Sequence, residues 1–406
     1  MAARGIAGNC GRHRLMRALV LHPSLHSPGG STCLTAWALQ ALRDDFDVTL
    51  LSWTDADVEE LNTAFGTELQ ANDFTLALPP RGQRAVFAAL PLRFGLLRSG
   101  LLQREARRLD AQRRFDLIVS TDDTIDVHRH AVQYVHYPWT FYPRTGDDYE
   151  WYHVGPVMRF YRACIDRFCE LSTTRMAANT TLTNSDWTAK RIAQWYGTKA
   201  EVVYPPVAVH REGLPWEQRT DTFAAIGRIA PVKRIIETIE IIGRVREHGH
   251  QVSLLICGQR DDARHEAKLR SIAASRPWIE LLIDAPRAEM LDRVGACRYG
   301  IHAMPREHFG IAVAEMSKLG LVCFAHRDGG TAEILGGNAR LLFDTPEDAV
   351  QKICAVLGAA PDIPAIRAEL ASHAVNFSTG RFIAEFHSAC KKTLPQRLVA
   401  DVTARC

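Results

Sequence analysis

The sequence predicts an α/β protein of two domains, each a doubly wound parallel sheet of Rossmann-like topology, facing each other across a cleft. Three observations lead to this fold class. Short, continuous apolar runs alternate with helical segments, as in sheets covered by helices on both faces. The alternation stops near residue 207 and then starts again. The length of 406 residues suits two domains of ordinary size.

The first domain is predicted to span residues 16–206, beginning with a strand at residues 17–23. The stretch "SPGGSTCLTAWALQALRDDF" (residues 27–46) then supplies a glycine turn and a helix with helical apolar spacing. Further β-rich runs occupy residues 47–53, 115–121, 132–138, 181–185 and 200–207. The polar segment 208–221, which carries Pro and Gly, is the predicted linker.

The second domain is predicted to span residues 207–375, with its first strand at 222–229 and a helix at 233–249. The helix is supported by isoleucine and valine residues at helical spacing. The remaining strands are predicted at residues 251–258, 279–284, 299–305, 321–326 and 339–343. Helices are predicted between them at residues 261–275, 287–294, 310–320 and 331–336. Helical segments continue to the C-terminus, and we treat residues 376–406 as a separate unit.

Composition excludes several classes of function. With 47% hydrophobic residues, 23% charged residues and a net charge of +3, the chain has no nucleic-acid-binding character. Ten cysteines without a C-x-x-C pair predict reduced thiols in a cytoplasmic protein and no zinc site. We find no apolar run of the roughly 18–20 residues that a membrane span needs, and no signal peptide. Residues 1–15 are either a loose tail or the result of a translation start that was assigned too early.

Two loops that follow predicted strands have the composition of anion-binding sites. Gly29 and Gly30 lie between the first strand and its helix, where backbone amides can approach an anion, although a simple tight turn explains them equally well. In "GRIAPVKR", Arg228 and Lys233 follow the first strand of the second domain and can hold a diphosphate from two sides. The alternative for these two cations is a solvated helix start.

The stretch "MPREHFGIAVAEM" (residues 304–316) places Glu307 and Glu315 eight positions apart, on either side of a helix entry at Gly310. Carboxylates accept hydroxyl donors of the kind that a ribose or hexose presents. The unpaired amides at the helix entry suit a phosphate between them. The pattern therefore indicates a ligand with sugar at both ends and phosphate in the middle, which is the shape of a nucleotide sugar.

Taken together, these motifs resemble those of the retaining glycosyltransferases of family 4, which adopt the GT-B fold. "REHFGIAVAEM" is similar to the family's Glu-x7-Glu motif, "GRIAPVKR" to its diphosphate clamp and "LVCFAHRDGGTAEIL" to the segment that follows. In the first half, "YVHYPW" and "TNSDWTAKRIAQWYGTKAEVVYPPV" look most like the α-1,2-mannosyltransferases that extend lipid-linked oligosaccharides. The resemblance also implies that residues 376–393 cross back onto the first domain.

The resemblance implies roles for individual residues. Arg228 and Lys233 would bind the donor diphosphate, Glu307 would contact the donor sugar and Glu315 the ribose hydroxyls. The other implied donor-binding residues are Gly29, Gly30, Phe309, Gly310 and Ile311. His136 matches a histidine near the transferred sugar, although a histidine after a strand is often only a packing residue.

Two further residues receive structural expectations. His308 has no role that the resemblance implies and is expected to be incidental, and Glu333 is expected to be a first-turn charge of its own helix. No D-x-D pair is placed to hold a metal, and Asp122 and Asp123 are the only adjacent acidic pair worth testing. We therefore expect neither a metal nor a cofactor, with a GDP- or UDP-linked sugar as co-substrate.

Residues 81–114 hold nine arginines against one Glu and one Asp, interleaved with Leu, Phe and Ala. This segment is either a peripheral contact with an anionic membrane or a solvated helix pair. The first alternative would place the protein in the cytoplasm, on the cytoplasmic face of the membrane.

The sequence thus predicts a hexosyltransferase, with mannose as one candidate sugar, that acts on a hydroxyl of a glycan or lipid-linked acceptor in polysaccharide or glycolipid biosynthesis. Alternatives are another GT-B enzyme, such as a sugar phosphorylase or nucleotide-sugar epimerase, and a catalytically silent nucleotide-sugar-binding protein. The base, sugar, acceptor, linkage and oligomeric state are left open.

Overall fold

The computed structural model describes residues 15–26, 29–89, 94–138, 155–209, 211–359 and 362–394. Within these residues, the first domain is a parallel sheet of seven strands in the order β3-β2-β1-β4-β5-β6-β7. The strands are β1 Met16–Leu21, β2 Phe46–Leu51, β3 Phe74–Ala77, β4 Leu117–Ser120, β5 Val132–Val135, β6 Thr180–Thr183 and β7 Glu201–Val202. The order reverses between β1 and β4, which creates a switch point at the carboxyl ends of these strands.

The helices of the first domain cover both faces of this sheet. They are α1 Gly30–Leu42, α2 Val58–Phe65, α3 Arg81–Ala89, α4 Gly95–Arg113, α5 Gly155–Cys169, α6 Thr173–Ala177 and α7 Asp186–Tyr196. The core strands β1, β4 and β5 bury nearly every residue, because a parallel sheet covered on both faces leaves no solvent side.

The second domain repeats this plan with a parallel sheet of six strands in the order β10-β9-β8-β11-β12-β13. The strands are β8 Thr220–Ile226, β9 Ser253–Gly258, β10 Ile279–Ile283, β11 Cys297–His302, β12 Val322–His326 and β13 Leu342–Phe343. The helices are α8 Ile235–Glu247, α9 Ala263–Ala274, α10 Arg287–Gly295, α11 Ile311–Lys318, α12 Thr331–Ile334, α13 Pro346–Gly358 and α14 Ile363–Ala374. Its switch point lies between β8 and β11. The predicted class of two doubly wound parallel sheets is confirmed.

The last described helix, α15 (Thr379–Lys392), packs against the first domain. Phe382 and Phe386 are buried in the same apolar cluster as Leu34 and Leu39 of α1. A short 3-10 turn, Val375–Phe377, joins α14 to α15 and connects the two cores. The chain therefore crosses between its domains twice.

The predicted linker is tied to the second domain rather than loose. Arg219 is buried and donates to the carbonyl oxygens of Leu214 at 2.6 Å and Leu319 at 2.7 Å. Because the Arg219 guanidinium binds carbonyl oxygens of two separate segments, it fixes the direction in which the chain enters β8.

Among the described residues, no single helix combines the length and apolar character needed to cross a membrane. Two consecutive helical stretches, Pro346–Gly358 and Ile363–Lys392, are long and apolar enough when they are taken together. They are bent by 116° relative to each other.

Candidate functional site

The carboxyl ends of β8 and β11 bring together a lysine, a glutamate and a histidine. Lys233 ends a 3-10 turn, Pro231–Lys233, that follows β8, and its Nζ lies 2.6 Å from Oε2 of Glu307. His302, the last residue of β11, places its Nε2 3.0 Å from the same oxygen. The sequence predicted Lys233 and Glu307 as site residues but did not point to His302, whose only signal was its position at a strand end.

The negative charge of Glu307 is balanced by the basic side chains beside it. Burial would raise the pKa of the Glu307 carboxyl, but Lys233 and His302 together hold that pKa well below its usual range. Glu307 is therefore ionised at neutral pH. Lys233 is held by one carboxylate oxygen, and an incoming anion can compete for the lysine at this point.

Arg228 lies in the same loop as Lys233 but has a different partner. Its Nη1 is 2.6 Å from Oδ2 of Asp261, and its side chain is 57% exposed. Exposed ion pairs of this kind contribute little to stability, so the guanidinium can leave Asp261 at small cost when another anion arrives. The two cations thus follow one strand while pairing with separate carboxylates.

The helix α11 begins at Gly310, which has a left-handed backbone conformation with φ 101°. A Cβ at this position would lie 2.6 Å from Cγ2 of Thr331, so both the dihedral angle and the space require glycine. Ala314 donates the first intrahelical amide bond, to Gly310, which leaves the amides of residues 311–313 without an acceptor inside the helix. Phe309 turns its ring into the core against Tyr204 and Phe377, so only its backbone is available to a ligand.

Glu315 lies further along α11 and is buried. Arg287, the first residue of α10, donates from Nη2 to Oε1 of Glu315 at 2.6 Å and to the carbonyl oxygen of Ala208 at 3.1 Å. Arg287 is a residue that sequence reasoning missed, because nothing in its local pattern indicates a partner 28 positions away.

The glycine pair of the first domain faces this helix. Gly29 caps α1 in an extended conformation, and a Cβ added to Gly30 would lie 3.1 Å from Cδ1 of Ile311. The first turns of α1 and α11 therefore meet across the domain boundary, at the carboxyl edges of both sheets. This is the cleft position at which two-domain α/β proteins bind ligands.

His136 follows β5 at the carboxyl edge of the first sheet. Its Nε2 donates to the carbonyl oxygen of Thr121 at 3.0 Å, so in the neutral ring Nδ1 is the acceptor nitrogen. Burial lowers the pKa of His136, against the opposing charge of Asp122. Burial raises the pKa of Asp122 itself, and the charge of the nearby His22 adds to the lowering of the His136 pKa.

A set of contacts closes the two domains onto each other, which we call the closure contacts. The ring of His308 stacks on Tyr137 with centroids 4.0 Å apart and planes 13° apart. The carbonyl oxygen of His308 accepts from the hydroxyls of Ser185 at 2.6 Å and Thr188 at 3.3 Å. The expectation that His308 is incidental is wrong, because its ring and its carbonyl oxygen join the two domains beside Glu307.

Glu333 supplies the second part of the closure contacts. Its carboxylate accepts from the backbone amides of Asp186 at 2.9 Å and Trp187 at 2.8 Å, which belong to the first turn of α7. Glu333 lies in the first turn of its own helix α12, as expected, and its carboxylate in addition caps a helix of the other domain, which was not expected. Trp187 adds a bond from Nε1 to Asp328 at 2.7 Å.

No group of three or more His, Cys, Asp or Glu in the described part of the chain is arranged to hold a metal ion. The sequence also has adjacent aspartates at 44–45, 147–148 and 261–262, of which the pair 147–148 lies outside the described residues. Of the other pairs, Asp261 is engaged by Arg228, and Asp45 by His387 at 2.6 Å and Lys391 at 2.9 Å.

Comparison with known proteins agrees with this geometry. Residues 208–360 match the family "Glycosyl transferases group 1". The chain is 30% identical over 166 residues to the "GDP-Man:Man(3)GlcNAc(2)-PP-Dol alpha-1,2-mannosyltransferase" of Eremothecium gossypii, covering 37% of this chain and 28% of that protein. Against the human enzyme of the same name it is 25% identical over 235 residues, covering 52% and 48%. The chain therefore spans less than half the length of these curated relatives.

Solved structures resemble this chain in fold over most of its length. WaaG, a glycosyltransferase involved in lipopolysaccharide biosynthesis, aligns with a TM-score of 0.67 at 12% identity, covering 92% of this chain and 99% of that one. Anabaena Alr3699/HepE in complex with UDP and glucose aligns with a TM-score of 0.63 at 14% identity, covering 92% and 98%. The GT-B fold predicted from the sequence is confirmed, and the resemblance predicted for the second domain agrees with the family match over residues 208–360.

Proposed function

We propose that this chain is a retaining glycosyltransferase that moves a hexose, mannose in the first instance, from a nucleotide diphosphate sugar to a hydroxyl group of a lipid-linked glycan. The proposal is supported by the family match over the second domain and by the curated relatives, whose names specify a GDP-mannose donor and a dolichol-linked acceptor. These relatives favour GDP over UDP.

The observation that carries the proposal is the Lys233–Glu307 contact of 2.6 Å at the entry to α11. Departure of a nucleoside diphosphate builds negative charge on its β-phosphate. A diphosphate seated over the free amides of residues 311–313 draws Lys233 away from Glu307, and the lysine then stabilises the leaving group. Arg228 reaches the same phosphates when it leaves Asp261.

Release of Lys233 frees Glu307 for the sugar. An ionised carboxylate with His302 at its other side accepts hydrogen bonds from hexose hydroxyls. Glu315, held by Arg287, is ready to accept the two ribose hydroxyls of the donor. His136, with Nε2 committed to Thr121, offers Nδ1 to a hydroxyl of the transferred sugar from the opposite domain.

The reaction as proposed uses fixed charges, with the nucleotide sugar as co-substrate and without a resident cofactor. In this proposal the leaving group is stabilised electrostatically, by the helix amides and by Lys233 and Arg228 once they have left Glu307 and Asp261. We also propose that the protein works in the cytoplasm, at the cytoplasmic face of a membrane that carries the acceptor.

A thermal-shift panel of GDP, UDP, ADP and their sugars tests the donor, because ligands that bind the folded state raise the apparent melting temperature. We expect GDP and GDP-mannose to give the largest shifts. Transfer is then measured with K233A and, as a matched control, K268A, which removes an exposed lysine of α9. We expect K233A to lose about 100- to 1000-fold in kcat and K268A to be unchanged.

The alternative functions give different results in this experiment. A silent binding protein would show the GDP shift and no transfer with any acceptor. A phosphorylase would consume an oligosaccharide only when orthophosphate is added. Full activity of K233A would overturn the assignment of the diphosphate site.

A further inference from the structure

The first crossing of the chain between its domains, residues 203–209, runs between the two cores. Val207 is buried in the apolar cluster of the second domain, and Ala208 is buried in that of the first. Consecutive side chains thus lie in opposite cores, as in an extended segment between two packed layers. Because the chain changes domains at this peptide, a rotation of one domain against the other must move it.

Polar groups of the second domain hold the backbone of this crossing. Lys318 of α11 donates from Nζ to the carbonyl oxygen of Val207 at 2.6 Å. The amide of Val207 donates to the carbonyl oxygen of Phe377, in the second crossing, at 3.1 Å. The carbonyl oxygen of Ala208 accepts from Nη2 of Arg287 at 3.1 Å. The two crossings are therefore bonded to each other and to helices of the second domain.

Arg287 connects this crossing to the carboxylate that is proposed to bind the donor ribose. The same Nη2 that donates to Ala208 also donates to Oε1 of Glu315 at 2.6 Å. The Glu315 side chain is only 8% exposed, and Arg287 is the ion-pair partner that orients it. One guanidinium nitrogen thus joins a ligand-binding carboxylate to the peptide at which the chain changes domains.

The Arg287–Glu315 pair lies at the boundary with the first domain. Burial raises the pKa of the Cys33 thiol on α1 to about 12, and the charges of Arg287 and Glu315 also act on that thiol. These two side chains of the second domain therefore lie close to α1. Opening of the cleft would expose the pair to water, where an electrostatic contact is weaker.

We propose that Arg287 is a positioning residue that makes ribose binding at Glu315 and closure of the two domains depend on each other. In the closed arrangement, the Ala208 carbonyl holds the guanidinium, and the guanidinium holds Oε1 of Glu315 and leaves Oε2 for the ribose hydroxyls. When the domains rotate apart, the Ala208 carbonyl moves relative to α10, and Glu315 loses its fixed orientation. Because such coupling is reciprocal, ribose hydroxyls bound at Glu315 favour the closed domains by the same factor. The inference rests on the proposed function, since it takes the donor ribose to bind at Glu315.

Hydrogen exchange of residues 203–209, followed by mass spectrometry on the full chain, tests the coupling, because the Val207 amide is bonded to Phe377 across the two crossings. The ligands are GDP and 2′,3′-dideoxy-GDP, which lacks both ribose hydroxyls, each at saturation. In wild type, we expect GDP to slow this exchange by about fivefold or more relative to the dideoxy nucleotide. In R287Q, the difference between the nucleotides should fall below about twofold.

Two further variants complete the experiment. R293Q is the matched control, because Arg293 lies on the same helix α10 and pairs with the half-exposed Glu280; it should behave like wild type. R287K keeps a positive charge beside Glu315, so it serves if R287Q does not fold. Its side chain is shorter and lacks the guanidinium, so it should also lose the difference between the nucleotides. A wild-type difference in both R287Q and R287K would overturn the proposal.

The affinities of the two nucleotides, measured by calorimetry, separate this inference from the proposed function. Equal affinity of wild type for GDP and dideoxy-GDP would remove the ribose role of Glu315, and the coupling with it. Weaker binding of dideoxy-GDP with equal exchange in residues 203–209 would overturn the coupling alone. A protein that shows the coupling but transfers sugar to no acceptor would support this inference and contradict only the transferase activity.

Discussion

Replacing His308 with Phe should remove a pH dependence from the closure of the two domains. His308 is stacked on Tyr137 of the first domain, and burial lowers the pKa of its imidazole from 6.5 to about 4. Glu307 opposes this shift, whereas the charges of Lys233 and of His136 across the boundary add to it. Phe keeps an aromatic ring in the stack but cannot be protonated.

The size of the effect follows from the two pKa values. If opening restores the usual pKa of 6.5, the open form binds the proton more readily between pH 6.5 and about 4, so acidification favours opening in this window. At pH 5 the shift changes the ratio of open to closed molecules by about 30-fold, or about 2 kcal/mol. This is an upper value, because His308 retains some contact with solvent, which screens the charge.

Small-angle X-ray scattering between pH 4.5 and 7.5 measures the opening as an increase in the radius of gyration. We expect wild type to expand as the pH falls and H308F to expand less. The difference between the two profiles gives the contribution of His308 to the pH dependence. It excludes that of Glu333, whose pKa is raised by burial at the same boundary and which is present in both proteins. Coincident profiles would refute the argument that this imidazole senses closure.

Variants at three further positions test the cleft. G30V should weaken GDP binding in calorimetry without unfolding the protein, because a Cβ at Gly30 would already be 3.1 Å from Cδ1 of Ile311; G30A should have a smaller effect. E315Q should raise the KM for the donor by about tenfold with little change in kcat, because it weakens a charge-assisted hydrogen bond from the ribose hydroxyls. A similar loss in kcat would contradict a ribose-binding role for Glu315. E333Q should cost the closed form about 1–3 kcal/mol, because a neutral amide accepts weakly from the first turn of α7; scattering at pH 7.5 that matches wild type would contradict it.

Most of the fold could be predicted from the sequence because its periodic signals are strong and local. The helix Ile235–Glu247 and the continuous apolar strands β9 and β12 each fall inside their predicted ranges. The strand β3 was missed. It has four residues, lies at the edge of the sheet and has no fully buried residue, so it lacks the continuous apolar run that identified the others.

The parts of the site that lie within one short segment could be predicted from the sequence. The contacts between residues that are distant in sequence could not. Glu307, Gly310 and Glu315 fall within nine residues, so spacing alone indicates a helix entry between two carboxylates. The caps that Glu333 forms on α7 join positions about 146 residues apart. No local sequence pattern indicates which domain a carboxylate faces. For the same reason the sequence did not indicate that Arg287 pairs with Glu315.

The crystal structure of the chain with GDP bound is the most direct test of the central claim, that the entry to α11 beside Lys233 binds a nucleoside diphosphate. We predict the β-phosphate within hydrogen-bonding distance of Nζ of Lys233 and of the amides of residues 311–313, with the Lys233–Glu307 contact of 2.6 Å lost. GDP bound away from this turn, with that ion pair intact, would contradict the account.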